Sequence, residues 1–193
     1  MSTLHVENLK GLSSGGNANK VIIPTGQTLE VADNIRYDDM PAGSVIQTVS
    51  ASDSTAGNTT STSAVLAWSG TSITPKFSNS LIKVQCQFYA THRDYYDGYI
   101  QLYKNGSAMS GKRILIRQAG HTGTTFVSAA SRATWYCAAW LWNFTESAGS
   151  TSAITYSVYA WTQNISHPTY WNSTDSNSQE DPTSTMILTE IKQ

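Results

Sequence analysis

Charge is what this 193-residue chain has least of: 12 Lys and Arg face 13 Asp and Glu, and charged residues make up only 13% of the total. A formal net charge of -1 leaves no cationic excess to neutralise a phosphate backbone or an anionic bilayer. Nucleic acid is therefore not an expected partner. Apolar runs are short as well, and none approaches the 18 or so residues that a membrane-spanning helix requires, so no membrane insertion is expected. The opening Met1 to Gly16 lacks a basic stretch followed by an apolar one, and the expectation is a protein made in the cytoplasm without a secretory leader. Cysteine is nearly absent. Cys86 and Cys137 each lie in an apolar segment where a free thiol behaves as a small hydrophobe, which is the favoured reading over a bridge.

Ser and Thr fill the space that charge leaves, at roughly a quarter of the residues. Such a composition alone would fit a disordered chain. The 6 Trp, 10 Tyr and 4 Phe argue otherwise, because that much ring surface offsets the entropy of ordering. Hydroxyl-bearing, β-branched and aromatic side chains suit pleated surfaces, so the expected class is all-β.

Three zones follow along the chain. Residues 1–20 are polar after one short alternation, Leu4, Val6 and Leu9, and read as an attachment tip. Residues 21–43 hold two strand-like pieces, one with Val21, Ile22 and Ile23 and one with Leu29 and Val31, broken by Pro24-Thr25-Gly26 and closed by Met40-Pro41-Ala42-Gly43. Pieces this short bury little by themselves, so other copies or the next domain must cover them. Residues 44–193 read as a run of eight or nine short strands, the count of a two-sheet jelly roll. In Leu81 to Ala90 the residues Ile82, Val84, Cys86, Phe88 and Ala90 alternate with polar ones, the period of a strand with one buried face. Asn105-Gly106 between Tyr99–Lys104 and Ser107–Met109 is a type I′ hairpin signal. Arg113 to Arg117 reads as a separate strand, Ser50 to Ser63 as a loop, and Ala133 to Trp142, apolar on both faces, as buried on both sides.

Chemistry-bearing motifs are scarce. His5, His92, His121 and His167 show no spacing that places two of them on one metal, and neither a GxSxG elbow nor a glycine-rich phosphate loop is present. No metal, cofactor or enzymatic activity is expected. A glycosidase would need two facing carboxylates, and Asp94, Asp97, Glu146, Asp175, Glu180 and Asp181 are not paired by their spacing. Candidate recognition residues are His92, Asp94, Tyr95 and Tyr96, which pack a base, a carboxylate and rings into one turn, and Tyr170 and Trp171 in the polar loop Asn164 to Asp181.

Four stretches taken in order resemble small virion structural proteins of tailed bacteriophages: STLHVENLKG; IIPTGQTLEVADNIRYDDMPAGSVIQ; ITPKFSNSLIKVQCQFYA with YIQLYKNGSAM; and ITYSVYAWTQ with the closing STMILTEIKQ. The resemblance implies a short tail fibre or appendage located in the virion, a C-terminal jelly-roll head behind a short β-structured stalk, and association into a homotrimer. It implies attachment to other virion proteins through Leu4, Val6 and Leu9, and packing of Val21, Ile22, Ile23, Leu29 and Val31 about the trimer axis. Trp135 to Leu141 would supply the head's intersubunit face. The outer loops would meet a host-surface glycan or protein. A capsid decoration (cement) protein of the same fold is the alternative, and a polysaccharide-processing enzyme a remote one.

Overall fold

A computed structural model describes residues 13–15, 25–26, 40–92, 96–116, 137–173 and 182–193. The chain divides into two compact units, Met1–Asp39 and Met40–Gln193. The second holds ten strands: β1 (Val45–Asp53), β2 (Gly57–Thr59), β3 (Val65–Ile73), β4 (Leu81–His92), β5 (Gly98–Lys104), β6 (Ser107–Ile116), β7 (Ala138–Ser147), β8 (Ile154–Thr162), β9 (Thr169–Trp171) and β10 (Ser184–Ile191). They form two antiparallel sheets packed as a β-sandwich, as the composition and periodicity predict.

One sheet runs β1-β10-β4-β9-β2 with β7 on the other side of β4, and the second runs β3-β8-β5-β6. Long β4 is the spine of the first sheet. Its Leu81–Gln87 part pairs with β10, its Ala90–His92 end with β9, and its opposite edge with β7 from Leu81 to Ala90. The pairs β1 with β10, β3 with β8, β4 with β7 and β5 with β6 are nested inside one another along the chain. Nested antiparallel pairs divided between two sheets are the connectivity of a jelly roll.

Alternation dictates what lies between the sheets. Ile82, Val84, Phe88 and Ala90 of β4, Ile100 and Leu102 of β5, Tyr156, Val158 and Ala160 of β8, and Met186 and Leu188 of β10 are fully buried. Each aliphatic side chain so buried contributes roughly 1.5–3 kcal/mol. Trp68 of β3 stacks on Phe88 across the sandwich at 6.4 Å, joining the two sheets. Trp140 and Trp142 also turn inward, their indole N–H groups donating to the Ala90 and Lys112 carbonyls. The chain enters and leaves at one end, where the Lys192 amide donates to the Ser44 carbonyl and the Gly43 amide to the Lys192 carbonyl.

The Asn105-Gly106 hairpin forms as its sequence requires: both residues take positive φ, 49° and 76°. Asn105 does more than tolerate that backbone, since its Oδ1 accepts a hydrogen bond of 2.8 Å from the Thr155 amide. Asn105→Ala loses both advantages. It is expected to lower stability by about 1–2 kcal/mol, read as an earlier urea midpoint with unchanged slope.

Several expectations need correction. Ser50 to Ser63 is not one loop, because β1 continues to Asp53 by pairing with Ser184, and β2 follows it. Ser107–Met109 and Arg113–Arg117 are not two strands, since β6 runs unbroken from Ser107 to Ile116, with a register shift opposite Gln101 to Tyr103. The segment ending at Trp142 is not buried on both sides, for β7 lies at a sheet edge with Ala139 and Leu141 turned to solvent. Cys86 and Cys137 are free thiols. Cys137 precedes Ala138, the partner of Ala90, so it sits about 16 Å along β4 from Cys86 at about 3.3 Å per residue, beyond bridging distance. Burial pushes the Cys86 thiol up to about 12 and Cys137 to about 11, the latter against a hydrogen bond with the Ser173 backbone.

Candidate functional site

The recognition residues expected in loops divide sharply. His92 closes β4 rather than lying in a turn, and it is 1% exposed. Its Nδ1 lies 3.0 Å from Thr169 Oγ1, and its ring packs so tightly on Gly98 that a methyl group there would come within 2.7 Å of it. Tyr170 and Trp171 do not project from a polar loop; they belong to β9 and are buried. The reason is pairing. β9 fits between β2 and the end of β4, and the Trp171 indole lies against the bare backbone of Gly57, where a Cβ would collide with it. The next residue, Asn172, is fully buried and donates from Nδ2 to the Asp53 carbonyl, which ties β9 to β1. Surface recognition by His92, Tyr170 or Trp171 is thereby withdrawn.

Tyr96 does remain exposed, 4.5 Å from the His167 ring, at the end of the sandwich opposite the chain entry. Leu141 is 68% exposed on β7. Asp94, Tyr95, Trp135, Leu4, Val6, Leu9, Val21, Ile22, Ile23, Leu29 and Val31 lie outside the described residues.

The concentration of accessible rings is elsewhere, on the outer face of the β3-β8-β5-β6 sheet. In β5 the inward phase is Ile100 and Leu102, which leaves Tyr99, Gln101 and Tyr103 facing out. In β8 the inward phase is Tyr156, Val158 and Ala160, which leaves Tyr159 and Trp161 facing out. Register then brings these rings together. Tyr99 pairs directly with Trp161, and their rings stack at 5.2 Å and 16°. Tyr103 and Tyr159, diagonal neighbours, stack at 3.9 Å and 23°. Ser157, opposite Tyr103 on the same face, is only 7% exposed beside them. Ring pairs of this kind are worth roughly 0.5–1.5 kcal/mol beyond the area that they bury.

Among the described residues, polar groups frame the rings without giving the face a net charge. The Arg113 guanidinium lies 5.6 Å from the centre of the Tyr99 ring, and the Tyr99 hydroxyl donates to Asp97 Oδ2 at 3.4 Å. Gln101 is held by a bond from Nε2 to the Met109 carbonyl, which fixes its amide plane over the sheet. Leu66 and Leu115, opposite Tyr159 and Tyr99, are more than two-fifths exposed and extend the apolar surface to both flanks. Beyond Leu66 an open groove of about 500 Å³ runs between edge strands β1 and β3, lined by Asp53, Thr55, Leu66, Trp68 and Ser69 among others.

The described carboxylates of the sandwich interior are engaged in structure. Glu146 accepts a short hydrogen bond from the buried Tyr156 hydroxyl and an ion pair of 2.9 Å from Lys104. Burial and then that carboxylate push the Tyr156 phenol far above its ordinary range. Glu190 is fully buried beneath donors from the β3–β4 connection.

Periodicity alone did not mark the ring face, because alternation within β5 and β8 does not tell which residues of one strand lie beside those of the other. A signal existed nonetheless: in YIQLY the Ile/Leu phase claims the core and leaves the Tyr phase outside, and in TYSVYAW Tyr159 and Trp161 share the phase of the polar Thr155 and Ser157. No protein-family model matches the chain, and no curated protein matches it.

Proposed function

We propose that the protein is a non-enzymatic virion component of a tailed bacteriophage, a short homotrimeric fibre or spike whose jelly-roll head adheres to the host surface. The observation that carries this reading is the outer face of the β3-β8-β5-β6 sheet, where two stacked ring pairs are framed by hydrogen-bonding groups of balanced charge. A closed sandwich needs no such rings outside its core. The resemblance of the four sequence stretches to phage appendage proteins supplies the setting, and solvent-facing Leu141 on edge strand β7 supports an intersubunit contact there. Carboxylates locked into structure at Glu146 and Glu190 favour binding over glycosidic hydrolysis.

A capsid decoration role is the second reading, favoured by the outer face of the other sheet. Thr48, Ser50, Gln85, Ile187 and Thr189 form rows on that face whose single charge among the described residues is Lys83, a surface suited to lying on a protein shell. Immunogold labelling of intact particles tests both readings. Label on a tail or vertex appendage, with saturable binding of the purified protein to host cells, supports the fibre. Even label over the capsid supports decoration, and absence of the protein from particles overturns both.

A further inference from the structure

We propose that the ring-bearing face of the β3-β8-β5-β6 sheet is a binding site for a neutral glycan, lying across β8 and β5. The proposal rests on the adhesive reading above and names its ligand class and residues.

The rings define the length of the site. Tyr159 and Trp161 are two residues apart on β8, and Tyr99 and Tyr103 four apart on β5, which separates the two stacked pairs by roughly 7–13 Å along the strands. That spacing suits a short stretch of linear oligosaccharide, with C–H-rich sugar faces meeting one pair and then the other. Sugars also need hydrogen-bonding groups beside the apolar ones, fixed in place so that little entropy is lost on binding. Gln101 stands between the pairs with its amide tethered to the Met109 carbonyl, and Arg113 lies opposite it on β6.

Charge selects the ligand class. Among the described residues this face carries one cation, Arg113, balanced at its end by Asp97 beside Tyr99. An acidic polymer or nucleic acid would call for a cationic excess that neither this face nor the whole chain provides. A protein partner would favour a desolvated apolar centre with a polar rim. Here the amide and the guanidinium sit among the rings instead, an arrangement matched to a ligand that is apolar and hydroxylated at every step.

The test is binding of the full chain to an array of neutral and acidic glycans, repeated with variants. Expected is recognition of at least one neutral glycan, weakened about tenfold by Trp161→Ala and by Tyr159→Ala, in line with the value of one stacked ring. Gln101→Ala, which removes no ring and no core atom, provides a variant free of packing loss and is expected to weaken binding as well. Val45→Ser, at an exposed position on β1 of the other sheet, is expected to leave it unchanged. Binding to acidic glycans only, to none, or with equal strength in the Trp161 and Gln101 variants overturns the proposal. So does concentration-dependent self-association of the protein that the Trp161 change abolishes, which would make the face an interface between copies. Host-cell binding that survives all of these substitutions leaves the adhesive reading standing and removes only the assignment to this face; loss of cell binding in the unaltered protein removes the reading itself.

Discussion

Gly70→Ala is expected to destabilise the sandwich by about 2–5 kcal/mol, because among the described glycines it alone combines a positive φ with a backbone clash. Two costs combine. Gly70 lies in β3 at φ +63°, a conformation that costs a residue bearing a side chain roughly 1–2 kcal/mol. A Cβ there would also fall on the Tyr156 carbonyl oxygen and close to the Met186 methyl, and a backbone atom of a paired strand cannot rotate away. The irregular register of β3 between Trp68 and Thr71 exists to bring the two backbones this close. Gly149 provides the matched control, because its φ is +71° but nothing lies within 4 Å of the added carbon. Gly149→Ala is expected to cost only the conformational share. Urea denaturation of both variants separates the two contributions, and equal losses would contradict the steric one.

Glu190→Ala is expected to cost a further about 3–5 kcal/mol, comparable with breaking a buried ion pair. The carboxylate, fully buried at the inward phase of β10, accepts from the Lys76 amide at 2.8 and 3.0 Å, the Phe77 amide at 3.1 Å, Ser80 Oγ at 2.7 Å and Gln47 Nε2 at 2.7 Å. It fastens the β3–β4 connection to β1 and β10, and alanine leaves those donors buried without an acceptor. Burial alone would raise the carboxyl's pKa. The bonds from Lys76, Ser80, Gln47 and Phe77 together outweigh burial and hold the group below its ordinary value. A pKa lowered by folding adds stability that is fully present above the unfolded value of about 4.3 and is lost as pH falls through the folded value. The stability advantage of the native protein over Glu190→Gln is therefore expected to hold at neutral pH and to shrink on acidification below about pH 4.3. An advantage that stays constant with pH would show that the charge is not what the donors recognise.

Glu190 also shows where sequence reasoning reaches and where it stops. The alternation of β4 and the Asn105-Gly106 turn are legible because local geometry fixes them: a period of two with polar spacers, and two positive φ angles. In the closing TMILTEI, Glu190 occupies the phase of Met186 and Leu188, so a charged residue in the core was visible, but its partners lie more than a hundred residues away in sequence. Short β9 was illegible for a related reason. Three residues following Pro168 carry no period, and only the sockets offered by β2 and β4 make Thr169–Trp171 a strand and bury its rings. The ring face suffered the opposite difficulty. Alternation in β5 and β8 gives the outward phase, but only the sheet order and register set Tyr99 beside Trp161 and Tyr103 beside Tyr159 on one face. Recognition was expected from rings in loops, whereas the stacked, accessible rings Tyr99, Tyr103, Tyr159 and Trp161 lie on strands.

Hydroxyl-radical footprinting of the full-length protein, free and bound to host cells, tests the central claim most directly. The account predicts that Tyr99, Tyr103, Tyr159 and Trp161 are the side chains whose oxidation falls on binding, with Tyr96 and Leu141 unchanged. Protection confined to Leu141 or Tyr96, with the four strand rings as reactive as in the free protein, would contradict it.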